Sequence, residues 1–212
     1  MLWYKTDDEP RDLVSYWTLR KAVGVLGAAL PLLLVVGCFL LGGCEGLEDS
    51  ISDYYGTGVR DVFVGILFAI AWFMFAYRGY DSGDDFYGDL ACVFALGVAL
   101  FPTTSGSAFI RAVHFVSASG LFLVLSYFSL KLFTKGNEPF TAEKKKRNKL
   151  YRACGVIMLV CIGTIPLYYL LLRDSALAGL KPVFWLQSLA LAAFGVSWLT
   201  KGEMILADPK TD

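Results

Sequence analysis

Phe109–Phe133, FIRAVHFVSASGLFLVLSYFSLKLF, and Tyr151–Leu172, YRACGVIMLVCIGTIPLYYLLL, are two apolar blocks joined by a link that carries Lys144-Lys145-Lys146-Arg147-Asn148-Lys149. Each block is long enough to cross a bilayer, whose hydrocarbon requires about 20 apolar residues of helix. In a soluble protein such a basic run would point to nucleic acid. Between two membrane-length blocks it marks the cytoplasmic side and assigns the remaining polar residues to compartments.

The rest of the chain fits a polytopic membrane protein. Of its 212 residues 56% are hydrophobic and 18% charged, with a mean hydropathy of +0.56, more apolar than an ordinary globular domain. Six apolar blocks are expected as spans: Ala22–Leu41, Val62–Tyr77, Leu90–Phe101, Phe109–Phe133, Tyr151–Leu172 and Pro182–Leu199. The third is about a dozen residues long and needs Tyr87, Gly88 and Thr103 to complete a crossing.

The zero formal net charge hides a segregation. With the Lys144 run placed inside, 15 Lys and Arg fall on the cytoplasmic side and 4 (Arg60, Arg111, Arg173 and Lys181) on the other. That bias predicts an all-α integral membrane protein, a compact bundle of six transmembrane helices with both termini cytoplasmic. Residues 1–21 form a cytoplasmic N-terminal segment, 22–200 the transmembrane domain and 201–212 a cytoplasmic tail. The host is a plasma membrane or an endomembrane.

The acids Asp7, Asp8, Glu9 and Asp12 argue against a secretory signal. Leu41-Gly42-Gly43-Cys44 resembles a lipoprotein cleavage box, but the first block reads as a retained span. Cys38, Cys44, Cys92, Cys154 and Cys161 have no zinc-type spacing, and no disulfide is expected. Gly24, Gly27, Ala28, Ala69 and Ala76 allow close helix packing, and Pro31 and Pro166 each remove a backbone hydrogen bond inside a span.

On this topology Asp53, Arg60, Asp61, Arg111, His114 and Gln187 all belong to the outer leaflet. Arg111, His114 and Ser117 follow at intervals of three and share one helix face. Ionisable groups are costly against lipid and turn toward a bundle interior or aqueous cavity. The expected lipid-headgroup pocket therefore comprises Ser52, Asp53, Arg60, Arg111, His114 and Gln187. The alternative has the arginines snorkelling to phosphates and His114 making one hydrogen bond between helices.

A single histidine cannot build a three-histidine zinc site, so no metal or cofactor is expected. A serine–histidine–acid set could be drawn from Ser52, His114 and Asp53 or Asp61, although no GxSxG elbow is present. Lys144, Lys145, Lys146, Arg147 and Lys149 read as a topology marker and as a candidate contact for anionic lipid, worth about 1 kcal/mol per basic residue near the surface. Tyr77-Arg78-Gly79-Tyr80, followed by Asp81, Asp84 and Asp85, reads as a turn without calcium-loop spacing.

Ile51-Ser52-Asp53, Gly56-Thr57-Gly58, a span ending Tyr77-Arg78, His114, Phe184-Trp185-Leu186-Gln187 and Ala192-Ala193-Phe194-Gly195 together resemble the DRAM/Sfk/PGAP-type group of six-span membrane proteins, which includes damage-regulated autophagy modulators. The group's pattern has an acid near the start of the last span where this chain has Gln187. The resemblance implies a role in lipid handling, membrane trafficking or scaffolding without an established catalytic mechanism.

Three functions follow in order. The first is a non-enzymatic protein that binds lipid in an outer-leaflet pocket or regulates membrane lipid handling. The second is an intramembrane lipid-modifying enzyme using His114 with an acidic helper. The third is a transporter or channel, which lacks inverted repeats and a continuous polar path. Membrane lipids are the expected partners, with a protein partner or a second copy possible and no nucleic acid.

Overall fold

A computed structural model of the chain describes residues 16–41, 44–77, 82–136 and 139–206. Among these residues there are six α-helices and no strand: α1 (Tyr16–Leu41), α2 (Arg60–Phe75), α3 (Ser82–Leu100), α4 (Ala108–Tyr127), α5 (Ala142–Leu171) and α6 (Pro182–Lys201). Four of them, α1, α4 with its continuation to Leu132, α5 and α6, are long and apolar enough to cross a membrane. Leu40, Trp72, Phe109 and Leu170 are 69–79% exposed on the outside of the bundle, as expected of side chains that face lipid rather than water.

The α2 helix has 16 residues and is about 24 Å long. The α3 helix is longer than the third apolar block because it begins at Ser82 and includes Asp84, Asp85 and Asp89. Asp84 is tolerated inside because Lys135 bonds its Oδ1 at 2.5 Å, which offsets the cost of burying a carboxylate.

Each helix packs on the next, and α6 returns to α1, so the six form a closed ring. The α1–α6 closure uses the small residues singled out in the sequence. A Cβ added at Gly195 would lie 2.5 Å from the Ala28 Cβ and 2.7 Å from the Gly24 carbonyl oxygen, while one at Gly27 would meet the Phe194 ring at 2.3 Å. The approach therefore depends on small residues on both helices, as in other close membrane packings.

At one end of the ring Trp198 is the hub of an aromatic cluster, with ring centroids 5.2 Å from Phe133, 5.7 Å from Phe128 and 5.7 Å from Tyr77. The α4 helix reaches this cluster through a π-helical turn, Phe128–Leu132, closed by the Phe133 N–H on the Phe128 carbonyl at 2.8 Å. Two buried serines of α4 and its continuation are satisfied locally or across helices. Ser126 bonds the Phe122 carbonyl, and Ser129 bonds Ser197 at 2.7 Å between α4 and α6.

Two expectations are corrected. Lys144–Lys149 lies within the first turns of α5, where Thr141 caps the helix by accepting from the Lys144 N–H, so the run is helical rather than looped. The α1 helix begins at Tyr16 and so runs through the line drawn between residues 21 and 22. Cys38 and Cys44 form a disulfide, with their Cα atoms 5.6 Å apart; Cys44 is therefore not a free acylation site. Residues 1–15, Gly42-Gly43, Arg78–Asp81, 137–138 and 207–212 lie outside the described residues, and with them Arg78-Gly79-Tyr80 of the expected turn, most of the N-terminal segment and half of the C-terminal tail.

The α1–α6 contact gives a direct test. Gly195→Val should abolish recovery of monodisperse protein in mild detergent, because the clash is with backbone and Cβ atoms that cannot rotate away. Trp198→Ala should leave the fold but destabilise it by about 3 kcal/mol, read as a lower melting temperature.

Candidate functional site

The opposite end of the ring is closed by an inserted segment rather than by helix ends alone. After the disulfide the chain enters a short 3-10 turn, Ile51–Gly56, whose Ile51, Ser52 and Tyr54 are buried. Tyr54 anchors it against Phe184 at 6.3 Å between ring centroids, and burial raises its phenol pKa. Just upstream, the Asp49 carbonyl accepts from the Phe184 N–H at 3.1 Å, and the Asp49 carboxylate pairs with Lys181 at 2.5 Å, which raises the lysine pKa.

A buried turn brings backbone polar groups that cannot be left unpaired in an apolar bundle. Gln187 on α6 meets one of them, its Oε1 accepting from the Ile51 N–H at 2.7 Å. That bond fixes the amide orientation, so the NH2 end of Gln187 is the one not engaged by the turn.

His114 on α4 meets the next residue. Its Nδ1 lies 2.6 Å from the Phe101 carbonyl oxygen and its Nε2 lies 2.9 Å from the Ser52 Oγ. A carbonyl can only accept, so Nδ1 carries the ring proton. The Nε2 of that tautomer is an acceptor, and the Ser52 hydroxyl donates to it. The Phe101 carbonyl is available because Pro102 follows it: proline cannot continue α3, and the helix ends with the Phe101 N–H on the Gly97 carbonyl.

The position of the imidazole is set by packing one turn deeper. A Cβ added at Gly97 on α3 would sit 2.2 Å from the Ser117 Oγ. The two helices are therefore nearly in backbone contact beside His114.

Ser52, His114 and Gln187 line a cavity of about 680 Å3 between α4, α5 and α6. Its other walls are mostly apolar, including Phe115 and Ala118 on α4, Ile162, Pro166 and Leu170 on α5, and Val183 on α6. Phe115 is 54% and Leu170 79% exposed, so the walls continue onto the outer, lipid-facing surface. Pro166 also lacks the N–H that would bond the Ile162 carbonyl, which places the break in the α5 ladder at the cavity wall. A second, apolar pocket of about 50 Å3 meets Ser52 and Gln187 from inside the bundle, between Leu30, Phe63 and Leu121.

The expected headgroup set is thus divided. Ser52, His114 and Gln187 line the cavity; Arg60, Arg111 and Asp53 do not. Arg60 lies over the Tyr55 ring at 4.6 Å and bonds its hydroxyl, and Arg111 donates to the Ser105 carbonyl at 2.5 Å. Asp53 accepts from the Ser50 and Thr103 hydroxyls, and Asp61 is exposed on the first turn of α2. The hydrogen-bond partners of His114 are therefore Ser52 and the Phe101 carbonyl, not an acid. The roles of the Phe101 carbonyl and Thr103 were missed, although the Phe101-Pro102 dipeptide already signals a helix end with a free carbonyl.

At the other end of the ring the basic run splits by helical phase. Lys145, Lys146 and Lys149 are exposed, whereas Lys144 and Arg147 turn inward. With Arg20 of α1 and Lys201 of α6 these two line a cavity of about 320 Å3. Lys144 donates to the Phe133 carbonyl at 2.9 Å and Arg147 to the Leu206 carbonyl at 3.2 Å.

Comparison with known protein families, curated proteins and solved structures returns no match. The chemistry of the site must be read from its own residues.

Glu48, next to the turn, offers a pH test. Burial raises its carboxyl pKa, and the nearby Asp53 and Asp49 charges raise it further. A raised carboxyl contributes stability at low pH that is lost as pH rises through its folded value. Glu48→Gln should therefore raise the melting temperature at pH 7 and have almost no effect at pH 4.

Proposed function

We propose that the chain is a six-span integral membrane protein, with both termini cytoplasmic, that holds a membrane lipid in the cavity at the Ser52–His114–Gln187 end. One observation carries this reading: a cavity of about 680 Å3 has a mostly apolar wall running onto the lipid-facing surface and a few hydrogen-bonding side chains, among them Ser52, His114 and Gln187. Apolar walls with a few fixed polar groups are the usual form of a small-molecule site. An amphiphile entering sideways from the bilayer meets both in the right order.

Several features support the orientation. Arg20, Lys135, Lys144, Arg147 and Lys201 gather around the 320 Å3 cavity, and a concentration of positive charge at one end supports reading that end as the cytoplasmic one. The Cys38–Cys44 disulfide belongs to the other end, and disulfides persist in oxidising compartments. The short motifs shared with the DRAM/Sfk/PGAP-type group agree with a role in lipid handling. A protein partner or a second copy remains compatible with the same surface.

The cavity reading predicts which substitutions matter. Ser119 is exposed on the cavity wall, so Ser119→Trp should at least halve the phospholipid that co-purifies per protein, measured by mass spectrometry. The Arg60→Ala, Arg111→Ala double variant should retain it, because neither arginine lines the cavity.

Anionic-lipid contact at the inner surface is assigned to the exposed Lys145, Lys146 and Lys149. Replacing all three by alanine should selectively reduce co-purified phosphatidylserine or phosphatidylglycerol, while neutral lipid in the outer cavity stays constant.

A further inference from the structure

Ser52 and His114 have more order than lipid binding alone requires. A headgroup site needs donors and acceptors, but here a serine hydroxyl donates to a histidine nitrogen at 2.9 Å while the other ring nitrogen is held by a carbonyl at 2.6 Å. This is the arrangement of a hydroxyl nucleophile, its base and an orienting acceptor. The orienting group is the Phe101 main-chain carbonyl rather than a carboxylate. Both reacting side chains border the cavity in which the lipid is proposed to sit.

From these contacts we infer that Ser52 and His114 form a nucleophile–base pair that hydrolyses a carboxylic ester of a membrane lipid. The inference rests on the lipid-cavity reading and names the chemistry of that site. Its depth fits the substrate: His114 is six residues into α4, about 9 Å below the helix start, near the boundary of headgroups and hydrocarbon where glycerolipid ester carbonyls lie. The 680 Å3 cavity that meets Ser52 has the apolar wall along which an acyl chain would lie.

The reaction proceeds in two balanced steps. The Ser52 Oγ attacks the ester carbonyl carbon as its proton passes to the His114 Nε2. The C–O bond to the glycerol oxygen then breaks, and that oxygen leaves as an alcohol with the proton from Nε2. A water molecule attacks the resulting acyl-Ser52 ester and gives a proton to Nε2. The acyl–Oγ bond breaks, the proton returns to Ser52, and a fatty acid is released. Ester and water are consumed; alcohol and carboxylic acid are formed, with no change in oxidation state. The Gln187 NH2 is a donor at the cavity left to bond the carbonyl oxygen as it gains negative charge, since the Gln187 Oε1 is occupied by the Ile51 N–H.

The test uses the full-length chain in phosphatidylcholine nanodiscs, with a fluorophosphonate reagent as probe for an activated serine. One adduct is expected, located on Ser52 by peptide mass spectrometry, absent in Ser52→Ala and formed at least about 100-fold more slowly in His114→Gln. Release of labelled fatty acid from phosphatidylcholine should follow the same order. Gln187→Glu keeps the acceptor for Ile51 and removes the donor, so it should lower turnover on the order of 100-fold while the melting temperature is kept.

Equal labelling of the wild type and His114→Gln would overturn the inference. A photoactivatable phosphatidylcholine distinguishes the two levels of the argument. If it attaches to the cavity wall while Ser52 stays unlabelled, the hydrolase falls and the lipid cavity stands; if it does not attach there, both fall.

Discussion

The disulfide end of the molecule depends on one constraint: the Ile51 N–H and the Ser52 hydroxyl of a turn buried in the mouth of an apolar bundle need acceptors. Gln187 and His114 supply the partners, one for the Ile51 N–H and one for the Ser52 hydroxyl. Those two bonds tie the first loop to α6 and α4, and the Phe101 carbonyl adds the end of α3. Removing either side chain would leave a buried donor without an acceptor, at a cost of about 1–3 kcal/mol. The bonds that support the fold are thus the bonds that hold Ser52, His114 and Gln187 at the cavity.

The two ends of the ring solve the problem of polar groups near lipid in different ways. At the Trp198 end, long cationic side chains lie along aromatic faces: Lys144 over Tyr151, Lys201 over Phe133, and Arg20 over Trp17 and Tyr77. Their apolar stems cover the cluster while the charges stay near the cavity. At the disulfide end the hydrogen-bonded side chains Ser52, His114 and Gln187 are shorter and stand beside an open cavity. The molecule is therefore polarised in chemistry as well as in charge.

Much of this was readable from the sequence because it follows from hydropathy and spacing. The six blocks correspond to six helices, and the small residues Gly24, Gly27 and Ala28 mark the α1–α6 contact. His114 and Gln187 were recognisable as costly polar residues in apolar surroundings. The division of the expected headgroup set was not readable, because Arg60 and Arg111 are satisfied by Tyr55 and the Ser105 carbonyl, contacts fixed by loop geometry rather than helical phase. The disulfide was missed because a separation of six residues is not one that brings two side chains together on a continuous helix. The main-chain acceptor of His114 has no side-chain signature beyond the proline that follows it.

The π-helical turn at Phe128–Leu132 has a consequence for how the two ends coexist on one helix. A regular α-helix locks every residue to a common rotation of about 100° per position, so the phase that points His114 at Ser52 would also dictate where Phe133 points. The wider turn, closed from Phe133 to Phe128, takes up one extra residue and breaks that dependence. The α4 helix works as two segments with separate phase, one serving the pocket and one serving the aromatic hub. Sequence change at either end can then be accommodated without turning the other out of register.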